Sequence, residues 1–308
     1  MVKWVLLAVI LVALVSLSFW ATDYWIKIGL DILLYLTLAM VWNLLAGYTG
    51  LVSLGQQAFI GLGGYSLAVL TEYHGAPMWA AILVGGFVSV GFALVSSVVL
   101  FRMRGVYFTI ATWILAECLV VFFSNWSYVR SGMGFFIRAG YGTTPTQMYL
   151  AALPVALGAV TLVYVLLRSK LGLGLMAMRD DEGAAETMGV EIFRSKLTCW
   201  LIGAFVTGIA GGLFTLSQGN IQPYYAFGIN WTVAAVFMVI IGGIGTIEGP
   251  IVGAIVYVIL RQWLDQWPGT SMIILGAIAI IVILVAPAGI VGTVQKRFGS
   301  SFHSPRRQ

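Results

Sequence analysis

Long apolar stretches separated by short polar turns dominate this sequence and limit the solvent in which the chain can fold. Hydrophobic residues make up 60% of its 308 residues and charged residues only 9%, and the mean hydropathy is +0.99. Soluble domains carry about 25% charged residues, so a soluble fold of this composition would expose large apolar patches. The sequence therefore predicts an all-α, polytopic membrane protein embedded in a lipid bilayer.

The apolar stretches predict about ten transmembrane helices. The first resembles a signal peptide, but no small-residue cleavage site follows and another span comes at once, so we interpret it as a retained helix. The eighth and ninth are short, and 231–264 could form two full spans or a broken re-entrant pair. The predicted spans are 4–21, 28–46, 50–71, 78–101, 105–123, 148–167, 199–217, 231–246, 250–264 and 271–288.

Basic residues predict the orientation, because cytoplasmic loops carry an excess of lysine and arginine. With both termini in the cytoplasm, only four of the 16 basic residues fall outside, namely Lys27, Arg130, Arg138 and Arg261. The opposite orientation would reverse this distribution, so cytoplasmic N- and C-termini are favoured. The predicted inside group is Lys3, Arg102, Arg104, Arg168, Lys170, Arg179, Arg194, Lys196, Lys296, Arg297, Arg306 and Arg307.

Residues 168–196 form a polar island in this apolar chain, with ten charged residues, more than a third of the 16 basic and 11 acidic residues present. Asp180 or Asp181 can cap a helix there, and Glu182 favours the positive end of the helix dipole. Gly189 can end the helix in the left-handed conformation. The island therefore predicts a short helix of about two turns outside the bilayer.

The predicted helix has two distinct faces. Glu182 and Glu186 are four residues apart and share one face, while Ala184, Ala185 and Met188 lie on another. Small side chains let a second protein surface approach closely, so this helix is interpreted as a docking element. A solvated connector between two spans is the alternative.

A few polar residues within the predicted spans are candidates for function, because ionisable groups in a membrane are costly. Glu117 lies inside the fifth span and Asp31 near the outer end of the second; a structural role is an equal alternative for Glu117 and is favoured for Asp31. Gln56 and Gln57 begin the third span and, with Ser53, are candidates for lining a polar path. Hydrogen bonding between helices is an equal alternative for the glutamines.

The sequence carries no recognisable catalytic machinery. It lacks the Gly-x-x-x-x-Gly-Lys-Ser/Thr loop that cradles ATP phosphates, and no Ser/His/Asp arrangement is evident. His74 and His303 are the only histidines, and no metal-ligand spacing accompanies them. We therefore expect no enzymatic activity, no catalytic residue, no metal and no cofactor. The net charge of +5 is explained by cytoplasmic loops, and we expect no nucleic-acid partner.

Three motifs distributed between residues 47 and 292 resemble one known family. The first is GYTGLVSLGQQAF at 47–59, where the family often has His in place of Gln56. The second is RDDEGAAETMG at 179–189, which resembles the family's EAA coupling loop. The third is GGIGTIEGP at 242–250, followed by PAGIVG at 287–292. With these motifs the chain resembles the permease subunits of branched-chain amino acid ABC importers, the M-type of two homologous permeases.

The resemblance implies a division of labour in a bacterial inner membrane. Two homologous permeases would form the path, two cytoplasmic ATPase subunits would consume ATP, and an extracytoplasmic solute-binding protein would deliver substrate. The permease domain would cover 1–295, with a coupling loop at about 168–198, and 296–308 would form a cytoplasmic tail. The implied coupling residues are Arg179, Asp181, Glu182, Ala184, Ala185, Glu186 and Gly189.

Other functions fit the sequence less well. Urea and short-amide permeases share these motifs, and Gln56 in place of His leaves the substrate open. A polytopic membrane enzyme would need Asp, His or Glu clustered at one depth, which the sequence lacks. A self-sufficient channel or secondary carrier would need more ionisable groups within the membrane and no docking helix.

Overall fold

The computed structural model describes residues 15–16, 20–140, 142–264, 266–267, 270–286 and 288–298. The described chain is mostly helical, in agreement with the predicted class, although two-residue strands β1 (Phe135–Phe136) and β2 (Asn220–Ile221) pair antiparallel. The helices are α1 (Asp23–Asn43), α2 (Gln56–His74), α3 (Met78–Leu100), α4 (Val106–Asn125), α5 (Pro145–Arg168), α6 (Lys170–Asp180), α7 (Glu182–Thr187), α8 (Ile192–Gln218), α9 (Pro223–Ala226), α10 (Asn230–Gly242), α11 (Glu248–Leu264), α12 (Ser271–Val285) and α13 (Gly289–Phe298).

Within the described residues, seven helical segments are long and apolar enough to cross a membrane. They confirm a multi-pass helical protein, whereas the count of ten spans and the cytoplasmic position of both termini stay predictions. The predicted first span lies mostly outside the described residues, and of the predicted tail only 296–298 are described, as the end of α13. The seven segments are Asp23–Tyr48, Met78–Leu100, Val106–Asn125, Pro145–Arg168, Ile192–Gln218, Pro223–Gly242 and Ile273–Thr293.

The predicted third span begins too early. It was placed at 50–71, but residues 50–55 are not helical and α2 starts at Gln56. The preceding helix ends in a π-helical turn, Leu44–Tyr48, and Gly50 adopts a positive φ of 74° that favours glycine. Irregular backbone at membrane depth is tolerated only when protein groups satisfy it. Hydropathy alone does not distinguish such a segment from the helix that follows.

Helix α11 extends along most of the length of α1, which is longer than a shallow re-entrant segment requires. At one end, the Asn43 side chain donates a hydrogen bond to the Thr246 carbonyl, 2.7 Å away. At the other end, the Gln262 amide donates to the Tyr24 hydroxyl at 3.4 Å. Helix α11 therefore runs antiparallel to α1 over nearly the whole of its length, although it has only 17 residues.

Glycines allow α2, α3 and α8 to pack closely at the centre of the bundle. A Cβ atom on Gly63 would lie 1.9 Å from the carbonyl oxygen of Gly208, and one on Gly211 would lie 2.2 Å from that of Ile60. Small residues at such contacts let helix backbones approach in a membrane. In the most apolar window of α8, 67% of residues are buried, against 28% in α4, so α4 offers its surface to lipid or to a partner.

Candidate functional site

The polar island folds into two helices packed at one end of the bundle, and α8 begins within it. The Asp181 side chain accepts a hydrogen bond from the Ala184 amide at 3.0 Å, as an N-cap of α7 should. Gly189 has a φ of 83°, and the Val190 amide donates to the Ala185 carbonyl at 3.1 Å. The predicted short helix with these caps is confirmed, although α7 has only six residues.

The predicted faces of this helix are partly wrong. Ala185 is only 1% exposed and packs in a cluster with Leu175 and Met178, whereas Ala184 and Glu186 are exposed. Glu182 and Glu186 line one groove, as expected of a shared face, and Glu182 also pairs with the buried Lys196, with 2.5 Å between its Oε1 and the lysine Nζ. A helix resting on a protein must bury one stripe, and the similar small residues of α7 do not reveal which stripe that is.

An exposed groove of about 790 Å³ lies between α7, the start of α8 and the turn from α3 to α4. Glu182 and Glu186 line it together with Arg104 and Phe193. Phe193 is 55% exposed, and the nearby Met188 is 73% exposed. Large exposed apolar side chains rimmed by charges are typical of a surface that receives another protein.

The three sequence motifs, far apart along the chain, meet beside the island in what we call the motif junction: Asn43, Gly47, Arg179, Gly245 and Thr246. Arg179 donates from Nη1 to the Gly47 carbonyl at 2.9 Å, and the Asn43 Oδ1 accepts from the Gly245 amide at 2.8 Å. A Cβ on Gly47 would lie 2.8 Å from the backbone nitrogen of Gly245, so a larger residue there would push the two turns apart. The island is therefore fixed to the end of α1 and to the α10–α11 turn.

Ser53 and Gln57 are buried where the helical backbone is broken. Trp42 donates its indole N–H to the Ser53 carbonyl at 2.9 Å, and the Gln57 amide donates to the Leu54 carbonyl at 2.9 Å. The hydroxyl of Thr232, on α10, donates to the Oε1 atom of Gln57. These bonds support the interpretation of hydrogen bonding between helices that the sequence left open for Gln57.

Gln56 is also buried, at 2% exposure, and faces the packed interior. Its Nε2 donates to the Leu38 carbonyl at 3.1 Å and to the Thr207 hydroxyl at 3.3 Å. Its Oε1 has no hydrogen-bond partner among the described atoms. The structure thus brings Ser53, Gln56 and Gln57 together at the start of α2, with their bonds directed into the helix bundle.

Helix α4 connects this irregular segment with Glu117. Thr109 donates to the Val52 carbonyl at 2.7 Å, and the Thr112 hydroxyl accepts from the Leu54 amide at 3.1 Å. Glu117 lies further along α4 on its exposed side and accepts a hydrogen bond from the Trp113 indole at 3.0 Å. The structure therefore separates Glu117, which is exposed, from the three buried candidates.

Sequence reasoning missed Asn43, which joins two of the motifs. The available signal was an amide side chain at the end of an apolar run, since polar groups within membrane helices usually bond across helices. No set of three or more His, Cys, Asp or Glu that could hold a metal occurs in the described part of the chain.

Within the described residues, seven helical segments that could cross a membrane, with a capped, exposed helix at one end of the bundle, define a multi-pass membrane protein. The family model described as "Branched-chain amino acid transport system / permease component" matches residues 24–284, and the chain belongs to this family. It is therefore a permease subunit of an ATP-binding-cassette importer in the inner membrane, as the sequence motifs predicted; such permease subunits are not enzymes by themselves.

Relatives of both permease types are similar to this chain. It is 26% identical to the high-affinity branched-chain amino acid transport system permease protein LivM of Salmonella typhimurium and to that of Escherichia coli K12, over 92% of this chain and 74% of each relative. It is 31% identical to the E. coli K12 permease protein LivH over 40% of both chains. No solved structure matches it.

Proposed function

We propose that this chain forms one half of the translocation path of an importer for branched-chain amino acids. A second homologous permease completes the path, two cytoplasmic ATPase subunits hydrolyse ATP, and an extracytoplasmic solute-binding protein supplies the substrate. The observation that carries the proposal is the bond from Arg179 to Gly47, because it ties the exposed island to a membrane-crossing helix. The similarity to branched-chain amino acid permeases supports the substrate class.

The ATPase partner is proposed to dock on α7 and its groove. Ala184, Glu186 and Gly189 are exposed there, and no atom lies within 4 Å of the position a Gly189 side chain would take. Asp181 and Ala185 act as anchors within the permease, since Asp181 caps the helix and Ala185 is buried. A partner that closes on this helix would push against α6, whose last turn carries Arg179.

Movement of α6 is proposed to reach the translocation path through the irregular segment 50–55. Arg179 packs against Gly50 as well, since a Cβ there would lie 3.5 Å from its Cγ. The segment is bonded to α4 through Thr109 and Thr112. A continuous series of contacts therefore runs from the island to α4, which is the kind of network that can transmit a two-state movement.

The exposed face of α4 is proposed to line the path against the second permease. A carboxylate facing lipid is costly, and Glu117 would be stabilised by water in a path or by a protein partner. Ser53, Gln56 and Gln57 support this face indirectly, because they hold the start of α2 and the adjoining segment in place.

Reconstitution of the complete importer tests this function. With the second permease, both ATPases and the binding protein in proteoliposomes, we expect ATP-dependent accumulation of leucine, isoleucine or valine. Uptake of urea or acetamide in place of these amino acids would assign the chain to the urea and short-amide class. Accumulation by this chain without the ATPases would instead indicate a self-sufficient carrier.

A further inference from the structure

A cavity of about 350 Å³ lies at the end of the bundle opposite the motif junction. It is formed by the first turns of α1, the last turn of α11 and the end of α8, and its lining includes Lys27, Asp31 and Arg261. Asp31 in the cavity lining precedes Asn43 by 12 positions of α1, or about 18 Å at 1.5 Å per residue. The predicted orientation places the cavity on the exterior side, where substrate arrives.

The charges that line the cavity suit a zwitterion. Lys27 and Arg261 are basic and Asp31 is acidic. The two basic residues outnumber the one acidic residue in the lining, so a positive group can receive a carboxylate, and the aspartate carboxylate can accept from an ammonium group. Arginine is particularly suited to a carboxylate, since its planar guanidinium can donate two parallel hydrogen bonds. A neutral ligand such as urea would require neither charge.

Arg261 is held in position before any ligand arrives. Its guanidinium carbon lies 5.4 Å from the centre of the Tyr35 ring, and its Nη1 donates to the Tyr35 hydroxyl. Tyr35 is buried and packs edge-on against Phe214 and Tyr257, with ring centres 5.3 Å and 5.1 Å away. A charged group fixed by packed aromatic rings loses little freedom when it binds a ligand.

The remaining wall of the cavity is apolar and can contact an aliphatic side chain. Ile28 and Val258 contribute apolar surface to the same cavity. Small-molecule sites usually measure about 300–1,000 Å³, and they combine apolar lining with a few converging polar groups. This cavity is at the small end of that range, which favours one amino acid over a peptide.

We propose that this cavity is an acceptor site for the free branched-chain amino acid, in which Arg261 binds the carboxylate, Asp31 binds the ammonium group, and Ile28 and Val258 contact the aliphatic side chain. The inference rests on the proposed function, since it assumes an amino acid substrate. It assigns functional roles to Asp31 and Arg261, and for Asp31 the sequence had favoured a structural role.

The test uses the complete importer in proteoliposomes, with leucine uptake and ATP hydrolysis stimulated by the loaded binding protein measured in parallel. We expect Arg261→Gln and Asp31→Asn each to lower leucine uptake about tenfold or more, the loss of about 1.4 kcal/mol, while stimulated ATP hydrolysis is retained. Arg138→Gln, which removes an exposed basic side chain predicted on the same side but outside the cavity lining, serves as the matched control.

A selectivity measurement keeps the test informative if the charge variants assemble poorly. Ile28→Ala removes part of the apolar wall and enlarges the cavity, and we expect it to lower leucine uptake relative to alanine uptake several-fold, about 1 kcal/mol for lost methyl contacts. A merely structural role would change both substrates equally. Arg261→Lys should restore part of the uptake lost in Arg261→Gln, because the charge is kept and the planar fork is lost.

Three results would overturn the inference. Wild-type uptake by Arg261→Gln together with an unchanged leucine to alanine ratio in Ile28→Ala would remove the cavity from the path and leave the proposed function intact. Joint loss of binding-protein association and of stimulated ATP hydrolysis would make the cavity a docking contact for that protein. If the wild-type importer takes up no branched-chain amino acid, the proposed function fails, and the inference fails with it.

Discussion

The Arg179 guanidinium donates from Nη1 to the backbone carbonyl of Gly47 at 2.9 Å, across 132 positions of sequence. The same side chain bonds the neighbouring Asp180 carboxylate through Nη2 at 3.1 Å. A hydrogen bond from a charged donor contributes about 1.5–3 kcal/mol, and this one links α6 to the end of α1.

The first prediction concerns this bond. Arg179→Ala should reduce ATP-driven leucine uptake while ATPase subunits still associate, because the docking helix remains and its link to α1 is lost. Lys170→Ala is the matched control, since Lys170 is an exposed basic side chain at the other end of α6 and is outside the lining of the groove. Uptake and co-purification of ATPases would be measured on the same preparations; normal uptake by Arg179→Ala would exclude the proposed transmission route.

The second prediction concerns the end of α7. Gly189→Val should leave membrane insertion intact but abolish transport and weaken ATPase association, since a β-branched residue strains the backbone at a φ of 83°. Gly189→Asn is the control, because asparagine tolerates the left-handed conformation. Open space around Gly189 means that backbone strain, and not a steric clash, separates the two variants.

The third prediction concerns charge on the docking surface. Glu186→Lys should also abolish transport and loosen ATPase association, because an exposed side chain would change sign at the proposed contact. Glu186→Gln keeps the size of the side chain and should have a smaller effect. ATPase co-purification and uptake together check this, and normal transport by the lysine variant would assign α7 to a solvated connector.

The fourth prediction concerns the ion pair that holds α7 on α8. Lys196 is 8% exposed in its side chain and Glu182 is 38% exposed. Lys196→Met should lower stability by about 2 kcal/mol, below the 3–5 kcal/mol of a fully buried pair, because water reaches the glutamate. The double variant with Glu182→Gln should recover part of this loss, as measured by thermal unfolding in detergent. Equal losses in the single and double variants would contradict the pairing.

The fifth prediction concerns Glu117. Glu117→Gln should reduce leucine uptake about tenfold, equivalent to 1.4 kcal/mol, because the charge would be absent from the proposed path. Trp113→Phe removes only the indole that donates to Glu117, and it should change uptake less. Unchanged uptake in the glutamine variant would return Glu117 to a structural role.

Much of the fold could be predicted from hydropathy, because each apolar run must be helical to satisfy its backbone within a bilayer. The ends were less predictable. Helix α8 starts at Ile192, seven residues before the predicted span at 199, since a helix can continue past the apolar boundary into water. The start of α2 was predicted too early because an apolar segment need not be helical, and residues 50–55 are apolar but irregular.

The sequence by itself determined that the chain is a multi-pass helical permease, because apolar length and motif order are local properties that are readable along the chain. It also determined the caps of α7, because capping by Asp181 and Gly189 depends only on residues a few positions away. Only the tertiary structure decided that Arg179 meets Gly47 and that Arg261 faces a cavity with Asp31. These contacts join residues more than a hundred positions apart, and their partners are fixed by how the helices pack.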